Sequence, residues 1–259
     1  MRPKCLILRA EGTNCDLETA EAVRIAGGDP SIIHINLLIK GKVNLEDYQM
    51  LVLPGGFSYA DSISAGKILG NIIKTILRPQ FKKFIEEGKP VLGICNGFQA
   101  LLKSGFLPFS NENSQHATLS INESGLFIDK WVYLKYNSNT KCLLTKNSQN
   151  VIYLPINHGE GRFVCSNSCL DRLISNNQIV YQYSSIDGIV SNEFNPNGSL
   201  MNIAAITNEY GNVLGIMPHP EKYVNKYLHP AWTRFQNLKE EGDGLFIYLN
   251  AVKLAKKFF

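Results

Sequence analysis

The stretch Lys89-Pro90-Val91-Leu92-Gly93-Ile94-Cys95-Asn96-Gly97-Phe98-Gln99-Ala100-Leu101-Leu102 decides how the chain is read. Pro90 suits the start of a strand, where no ladder donor is needed. Val91, Leu92 and Ile94 form an apolar run of the length expected for a buried parallel strand. Gly93 and Gly97 stand two residues either side of Cys95, the spacing of a nucleophile elbow with cysteine in the place of serine. So sharp a turn needs small neighbours. It would aim the sulfur at the C-terminal edge of a sheet, beside the positive end of the following helix. Taken alone, the stretch fits equally well a buried cysteine at a strand end, since free cysteine is among the most buried residue types.

Working outward, the first hundred residues alternate strand and helix. Cys5–Leu8, Ser31–Leu37, Met50–Leu53 and the Cys95 strand read as strands. Leu17–Ala26, Ile63–Leu77 and Gln80–Glu87 read as helices, the first stopped by Gly27-Gly28 and the last by Gly88. This pattern predicts a flavodoxin-like α/β fold: a mostly parallel sheet flanked by helices. From Ser110 to Asn150 the chain turns rich in Asn and Ser, with short turn-bounded apolar runs at Ala117–Ile121, Leu126–Ile128 and Trp131–Tyr136. These predict an antiparallel extension of the sheet. Val151–Ile156 and Ile179–Tyr183 are further strands, Gly188–Leu200 is a loop, and Ile203–Thr207 with Val213–Met217 forms a hairpin. Lys226–Asp243 is a polar loop, and Leu245–Phe259 is an amphipathic closing helix. No repeat or linker divides the chain, so a single domain over 1–259 is expected.

Bulk properties narrow the function. A chain of 259 residues can bury a full core. Its 26 basic and 22 acidic residues are scattered, leaving a net charge of +4 with no basic stripe, so no nucleic-acid footprint is expected. No window approaches a membrane span, and the first residues lack a signal-peptide core. Six dispersed cysteines suggest free thiols in a reducing cytoplasm. Gly66-Lys67 lacks the earlier glycine and the following hydroxyl of a phosphate-binding loop. Cys165 and Cys169 with His158 lack a second paired motif, so no metal is expected.

Two other stretches carry chemistry. In Pro218-His219-Pro220-Glu221, the proline after His219 favours extended backbone, and residues two apart then point the same way. Glu221 can fix the imidazole tautomer and leave the other ring nitrogen facing a nucleophile. A proline-bounded surface turn is the plainer reading of those four residues. In Pro54-Gly55-Gly56, a glycine pair after a strand lets backbone N–H groups approach an oxyanion, although an ordinary strand-to-helix turn has the same composition.

Together, Gly93-Ile94-Cys95-Asn96-Gly97-Phe98-Gln99, Pro54-Gly55-Gly56 and Pro218-His219-Pro220-Glu221 resemble class I glutamine amidotransferase domains of the Cys-His-Glu type. Gly12-Thr13-Asn14-Cys15-Asp16, Gly55-Gly56-Phe57-Ser58-Tyr59-Ala60-Asp61 and His158-Gly159-Glu160-Gly161-Arg162-Phe163 narrow the resemblance to the glutaminase subunits of phosphoribosylformylglycinamidine synthases. Ala60 departs from the glycine often found there. The resemblance implies Cys95 as nucleophile, His219 as general base and acid, and Glu221 as the residue orienting it. It implies Gly56 and Asn96 as the oxyanion hole and Gln99 as a contact to the L-glutamine substrate. His158 and Arg162 would face the partner or the ammonia path. The implied partners are a large formylglycinamidine ribonucleotide synthetase subunit, on which ATP and Mg belong, and a small accessory subunit. This chain would carry no cofactor. Two other classes fit parts of the pattern: a stand-alone cysteine hydrolase, active without a partner, and a non-catalytic flavodoxin-like redox or binding protein, indifferent to His219 and Glu221.

Overall fold

The alternating first hundred residues build the parallel half of a sheet in the computed structural model, which describes residues 1–259. Strands β1 (Lys4–Arg9), β2 (Asp29–His34), β3 (Met50–Leu53) and β4 (Val91–Ile94) are joined through helices α1 (Asp16–Ile25), α2 (Ile35–Ile39), α3 (Lys67–Thr75) and α4 (Arg78–Glu86). Helix α5 (Asn96–Ser104) follows Cys95 directly. The rest supplies β5 (Ala117–Ser120), β6 (Ile128–Tyr136), β7 (Val151–His158), β8 (Arg162–Cys165), α6 (Asn167–Ser175), β9 (Ile179–Ser184), β10 (Ile203–Thr207), β11 (Val213–Ile216) and α7 (Leu245–Ala255).

Nine strands form one sheet in the order β2-β1-β3-β4-β11-β10-β9-β6-β7. Pairing is parallel from β2 through β11 and antiparallel from β11 to β7. The expected parallel sheet with an antiparallel extension is therefore present. Strand β11 is the junction, pairing parallel with β4 on one side and antiparallel with β10 on the other. Strands β5 and β8 make a separate two-stranded ribbon. One cluster of 65 buried residues runs from Cys5 to Ala255, so both halves of the sheet share a core. No helix is long and apolar enough to cross a membrane.

The central strands β3, β4 and β11 are buried at every position, as their unbroken apolar runs require. Their glycines are places where helices press close. A Cβ on Gly97 would sit 2.0 Å from the Leu53 carbonyl oxygen, and one on Gly215 2.1 Å from the Phe98 ring. These contacts lock α5 against β3 and β11, and so fix where Cys95 stands.

Several elements depart from expectation. The strand expected to reach Leu37 stops at His34, whose Nδ1 accepts from Asn36 N–H at 3.3 Å and caps the short α2. Leu126 and Phe127 remain exposed, and only Ile128 of that run joins a strand. Helix α3 starts at Lys67 rather than Ile63, because Tyr59, Ala60, Asp61 and Ile63 all adopt left-handed backbone. The closing helix becomes a 3-10 turn at Lys256. It is apolar on most of its circumference, burying Leu245, Ile247, Tyr248, Ala251, Val252 and Ala255. Helix α6 and strand β8 lie where no element was expected. Ser166 caps α6 by accepting from Cys169 N–H at 3.2 Å.

Candidate active site

Cys95 occupies the hinge between β4 and α5 with φ 49° and ψ −104°, a conformation that L-residues rarely adopt. Such strain costs about 1–3 kcal/mol and persists only where the surroundings over-determine it. Here they do. Cys95 N–H donates to the Ile216 carbonyl at 2.8 Å, and its own carbonyl accepts from Gln99 N–H at 3.0 Å. A Cβ on Gly93 would lie 2.4 Å from Leu101 Cδ1, which accounts for the glycine on the strand side of the turn. The elbow is thus built as the spacing implied, with the sulfur at the C-terminal edge of the parallel strands.

Strand β11 delivers the second component. It runs parallel beside β4, so Met217-Pro218-His219 leaves the sheet next to Cys95. His219 has extended backbone (φ −101°, ψ 92°), as Pro220 demands. Its N–H donates to the Pro155 carbonyl at 2.9 Å, anchoring it to β7. Nδ1 and Glu221 Oε1 are 2.5 Å apart, with both side chains almost wholly buried. Burial, the largest single influence, opposes charge on the ring, but the Glu221 carboxylate and the Cys95 and Cys15 sulfurs together outweigh it. The imidazole is held well above its ordinary range. Nε2, the nitrogen not facing Glu221, has no hydrogen-bond partner. Gly55 leaves room for the ring, since a Cβ there would approach His219 Cε1 to 2.7 Å.

The two residues expected to supply an oxyanion hole come from separate elements, Gly56 from the loop after β3 and Asn96 from the start of α5. The Gly56 N–H makes no hydrogen bond within the chain. Gly56 has φ 140°, and a Cβ on it would meet Asn14 N at 2.7 Å. Paired hydrogen bonds, Phe57 N–H to Gly12 O (2.9 Å) and Cys15 N–H to Gly55 O (3.2 Å), bind this loop to the Gly12–Cys15 turn. Asn96 opens α5, where helix geometry leaves the N–H without an intrahelical partner. Its side chain acts as a clamp: Nδ2 donates to Asp61 Oδ1 at 2.8 Å and Gln99 Oε1 at 3.0 Å, while Oδ1 accepts from Ser58 N–H at 3.2 Å. Ala60 lies in the same clamped loop at φ 55°, ψ 27°. That left-handed conformation costs an L-residue about 1–2 kcal/mol, which explains why glycine suits this position.

Gln99 is buried, not an exposed helix residue. Its Nε2 donates to the Glu160 carbonyl at 2.6 Å, so it ties α5 to the loop after β7. Glu160 is held in turn by Ala65 N–H at 3.1 Å and by Lys103 at 3.8 Å. Ser58, Asp61 and Glu160 stand inside the Gly55–Asp61 and His158–Phe163 motifs, the signal that could have marked them, whereas Lys103 lies outside every motif.

His158 and Arg162 do not meet Cys95 as side chains. The His158 ring is buried, with Nδ1 donating to Asn122 Oδ1 at 3.0 Å. Asn122 also binds the His158 carbonyl at 2.8 Å and the Gly161 N–H at 3.0 Å, closing the loop on itself. Burial, then the charge of His219, pushes the His158 pKa down to about 4, so the ring is neutral near pH 7. So enclosed a ring offers no surface to a docked partner, which leaves the ammonia path as the part of the expectation it can meet. Arg162 sits half-buried on β8 with Nε unpartnered.

Two cavities meet at the cysteine. One of about 150 Å³ holds Cys15, Gly56, Cys95, Asn157, His219 and Lys222. The other, of about 140 Å³, holds Gly56, Asp61, Cys95, Gln99, His158 and Glu160. Cys95 Sγ stands at their junction, 3.7 Å from the Asn157 carbonyl. Cys165 and Cys169 belong to no convergent cluster of metal-binding side chains; the one such cluster is Cys15, His219 and Glu221.

A sulfur, an imidazole and a carboxylate converging beside the unpaired N–H groups of Gly56 and Asn96 fit acyl transfer. Comparison with known proteins agrees. Residues 2–255 match the CobB/CobQ-like glutamine amidotransferase domain. The chain is 43% identical over 256 residues to the phosphoribosylformylglycinamidine synthase subunit PurQ of Dehalococcoides mccartyi, covering 98% of each. It is 38% identical over 255 residues to the PurQ subunit of Methanocaldococcus jannaschii, covering 98% of this chain and 99% of that one. Among solved structures, PurLQS from Thermotoga maritima superposes with a TM-score of 0.73 at 31% identity, covering 96% of this chain and 98% of the other. A glutamine amidotransferase from the same organism shares the fold, with a TM-score of 0.52 at 18% identity over 88% of this chain and 79% of that one. The chain belongs to the CobB/CobQ-like glutamine amidotransferase family and, within it, to the PurQ subunits of phosphoribosylformylglycinamidine synthase.

Proposed function

We propose that residues 1–259 act as one glutaminase domain. It would hydrolyse L-glutamine at Cys95 and pass ammonia to a large synthetase subunit, which converts formylglycinamide ribonucleotide to formylglycinamidine ribonucleotide with ATP. The observation that carries the reading is the strained Cys95 elbow sharing a cavity with a buried His219–Glu221 pair.

The Cys95 thiolate attacks the side-chain amide carbon of glutamine, forming a C–S bond and a tetrahedral oxyanion. Gly56 and Asn96 N–H groups receive that oxygen. Removing one such donor typically slows turnover by about 10²–10³-fold. The imidazolium of His219 gives a proton to the departing nitrogen, the C–N bond breaks, and ammonia leaves a glutamyl thioester. Neutral His219 then takes a proton from water, whose oxygen attacks the thioester. The C–S bond breaks to release glutamate and restore the thiolate. Glu221 keeps Nδ1 protonated, so that Nε2 does the proton transfer. Gln99 supports the far wall of the pocket and so orients the substrate indirectly. The second cavity, walled by Gln99, His158 and Glu160, offers ammonia an exit away from His219. His158, which lines that cavity, would shape the exit.

ATP and Mg²⁺ belong on the synthetase subunit in this reading, and a small accessory subunit completes a cytoplasmic complex. The test is glutamine hydrolysis with and without the synthetase subunit. Activity should rise on docking and vanish in Cys95→Ala, and a diazo-ketone glutamine analogue should label Cys95 alone. Steady hydrolysis by a clean Cys95→Ala preparation would refute the assignment.

A further inference from the structure

His158, Gly159 and Glu160 wall the cavity of about 140 Å³ beside Cys95, and their loop is held from two sides. Asn122 holds one side. Asn197, near the end of the Gly188–Leu200 loop, holds the other, and it is 1% exposed. Its Nδ2 donates to the Gly161 carbonyl at 2.9 Å and to the Tyr183 hydroxyl at 3.4 Å. The same nitrogen lies 3.5 Å from His158 Nε2. Because His158 Nδ1 donates to Asn122 Oδ1, Nε2 presents its lone pair to this amide. The imidazole is thus clasped between two asparagine amides, one at each ring nitrogen. Gly161 lets the ring lie against the turn, since a Cβ there would come within 2.2 Å of His158 Cε1.

Asn197 is itself braced. Its Oδ1 accepts from Ser199 Oγ–H at 2.7 Å and Ser199 N–H at 3.1 Å, and Ser199 Oγ accepts in turn from Phe163 N–H at 3.0 Å. Its carbonyl accepts from Glu123 N–H at 3.0 Å. Asn195 Oδ1 accepts from the N–H groups of Gly198 and Ser199 at 3.0 and 3.1 Å, which fixes the turn that carries it. From Gly161 the restraint passes to Glu160, whose carbonyl accepts from Gln99 on α5 at 2.6 Å and whose carboxylate accepts from Ala65 N–H at 3.1 Å. A buried polar network so fully paired is rigid. It runs from Asn197 to the helix that begins at Cys95, yet Asn197 lines neither cavity at the cysteine.

We propose that Asn197 is a positioning residue for the glutaminase reaction. Acting through His158 and Gly161, it holds the wall beside Cys95 where glutamine is seated correctly and ammonia is kept from bulk water. The inference rests on the glutaminase reading and extends it to a residue outside every motif. A wall displaced by about 1 Å is enough to matter, because misplacement on that scale can cost about 10²-fold in rate.

The test uses the assembled synthetase complex, with glutamate and nucleotide product both counted. Asn197→Ala should raise the KM for glutamine at least about tenfold while kcat falls less than about threefold. It should also release more glutamate per nucleotide product than the wild type. Asn197→Asp keeps the acceptor for Ser199 but loses the donor to Gly161, so it should behave like Asn197→Ala; wild-type behaviour would overturn the role given to Nδ2. Gln178→Ala is the comparison: it removes two buried hydrogen bonds, to the Pro108 and Thr207 carbonyls at 2.8 and 2.9 Å, at the opposite end of β9. It should lower the thermal midpoint and leave KM and the product ratio at wild-type values. A fall in kcat alone in Asn197→Ala is what a loss of folded enzyme gives, and it overturns the proposal, as does an equal KM rise in Gln178→Ala. Should Asn197→Ala not fold, Ser199→Ala decides: loss of this brace should shift KM and the ratio in the same direction, and no shift overturns the proposal. Unchanged KM and ratio with hydrolysis that still needs Cys95 would sink the positioning role alone, whereas hydrolysis persisting in Cys95→Ala would sink the glutaminase reading and this inference with it.

Discussion

Two histidines in this molecule are almost equally buried and have opposite electrostatic fates. His219 is 2% exposed and His158 3% exposed. His219 faces a carboxylate at 2.5 Å and is held toward its charged form. His158 faces the neutral amide of Asn122 at 3.0 Å, and burial drives it to its uncharged form. Burial alone therefore does not decide what a buried imidazole becomes; the group behind it does. One partner holds the ring toward its charged form and the other makes it a neutral strut.

The largest expected consequence lies in turnover. Replacing His219 with Asn should cut glutamine hydrolysis in the assembled complex by about 10⁴-fold or more, and Glu221→Gln should come within tenfold of that loss. His158→Asn should change kcat by less than about tenfold in the same assay. Equal losses at His158 and His219 would erase the distinction drawn between them.

Stability should show the reverse pattern. His158→Leu leaves Asn122 Oδ1 one buried donor short, with an expected cost of about 1–3 kcal/mol. Its thermal midpoint should fall by several degrees in calorimetry, whereas Asn, which can still donate to Asn122, should recover part of the loss.

The subtlest effect is the pH dependence of stability. The folded-state pKa of His158 lies near 4, below an unfolded value near 6.5. The unfolded chain thus binds more protons between those limits, and stability falls as pH drops from about 6.5 to 4. The full effect is on the order of 3 kcal/mol. His219 has the opposite sign: its contribution is complete below about pH 6.5 and is lost as pH rises through its elevated folded value. Urea midpoints across pH should show the acid-side slope shrinking in His158→Asn and the alkaline-side slope shrinking in His219→Asn. A His158 variant with an unaltered acid slope would contradict its assignment as a neutral strut.

Much of the site was legible because it is written in short-range rules. Gly93, Cys95 and Gly97 announce an elbow, and Pro220 after His219 forces the extended backbone that lets Glu221 reach the ring. What escaped depends on long-range packing. Asn122 sits in an unremarkable Asn- and Ser-rich segment, and nothing local reveals that it grips a loop 36 residues away. The expected strand Ser31–Leu37 overlaps the first three residues of helix α2, because the largely apolar run from Ile35 suits either conformation and only the cap at His34 separates the two. Helix α6 is one short amphipathic segment inside a polar stretch, held by its Ser166 cap.

The residue order by itself determined the sharp turn at Cys95, the His219–Glu221 pairing and the class of sheet, because each follows from backbone sterics or periodicity over a few residues. Tertiary structure alone decided that β11 lies beside β4, that Cys15 joins the same pocket, and that His158 is turned inward. Those outcomes depend on which distant groups share a low-dielectric space, and no local pattern encodes a neighbour a hundred residues away.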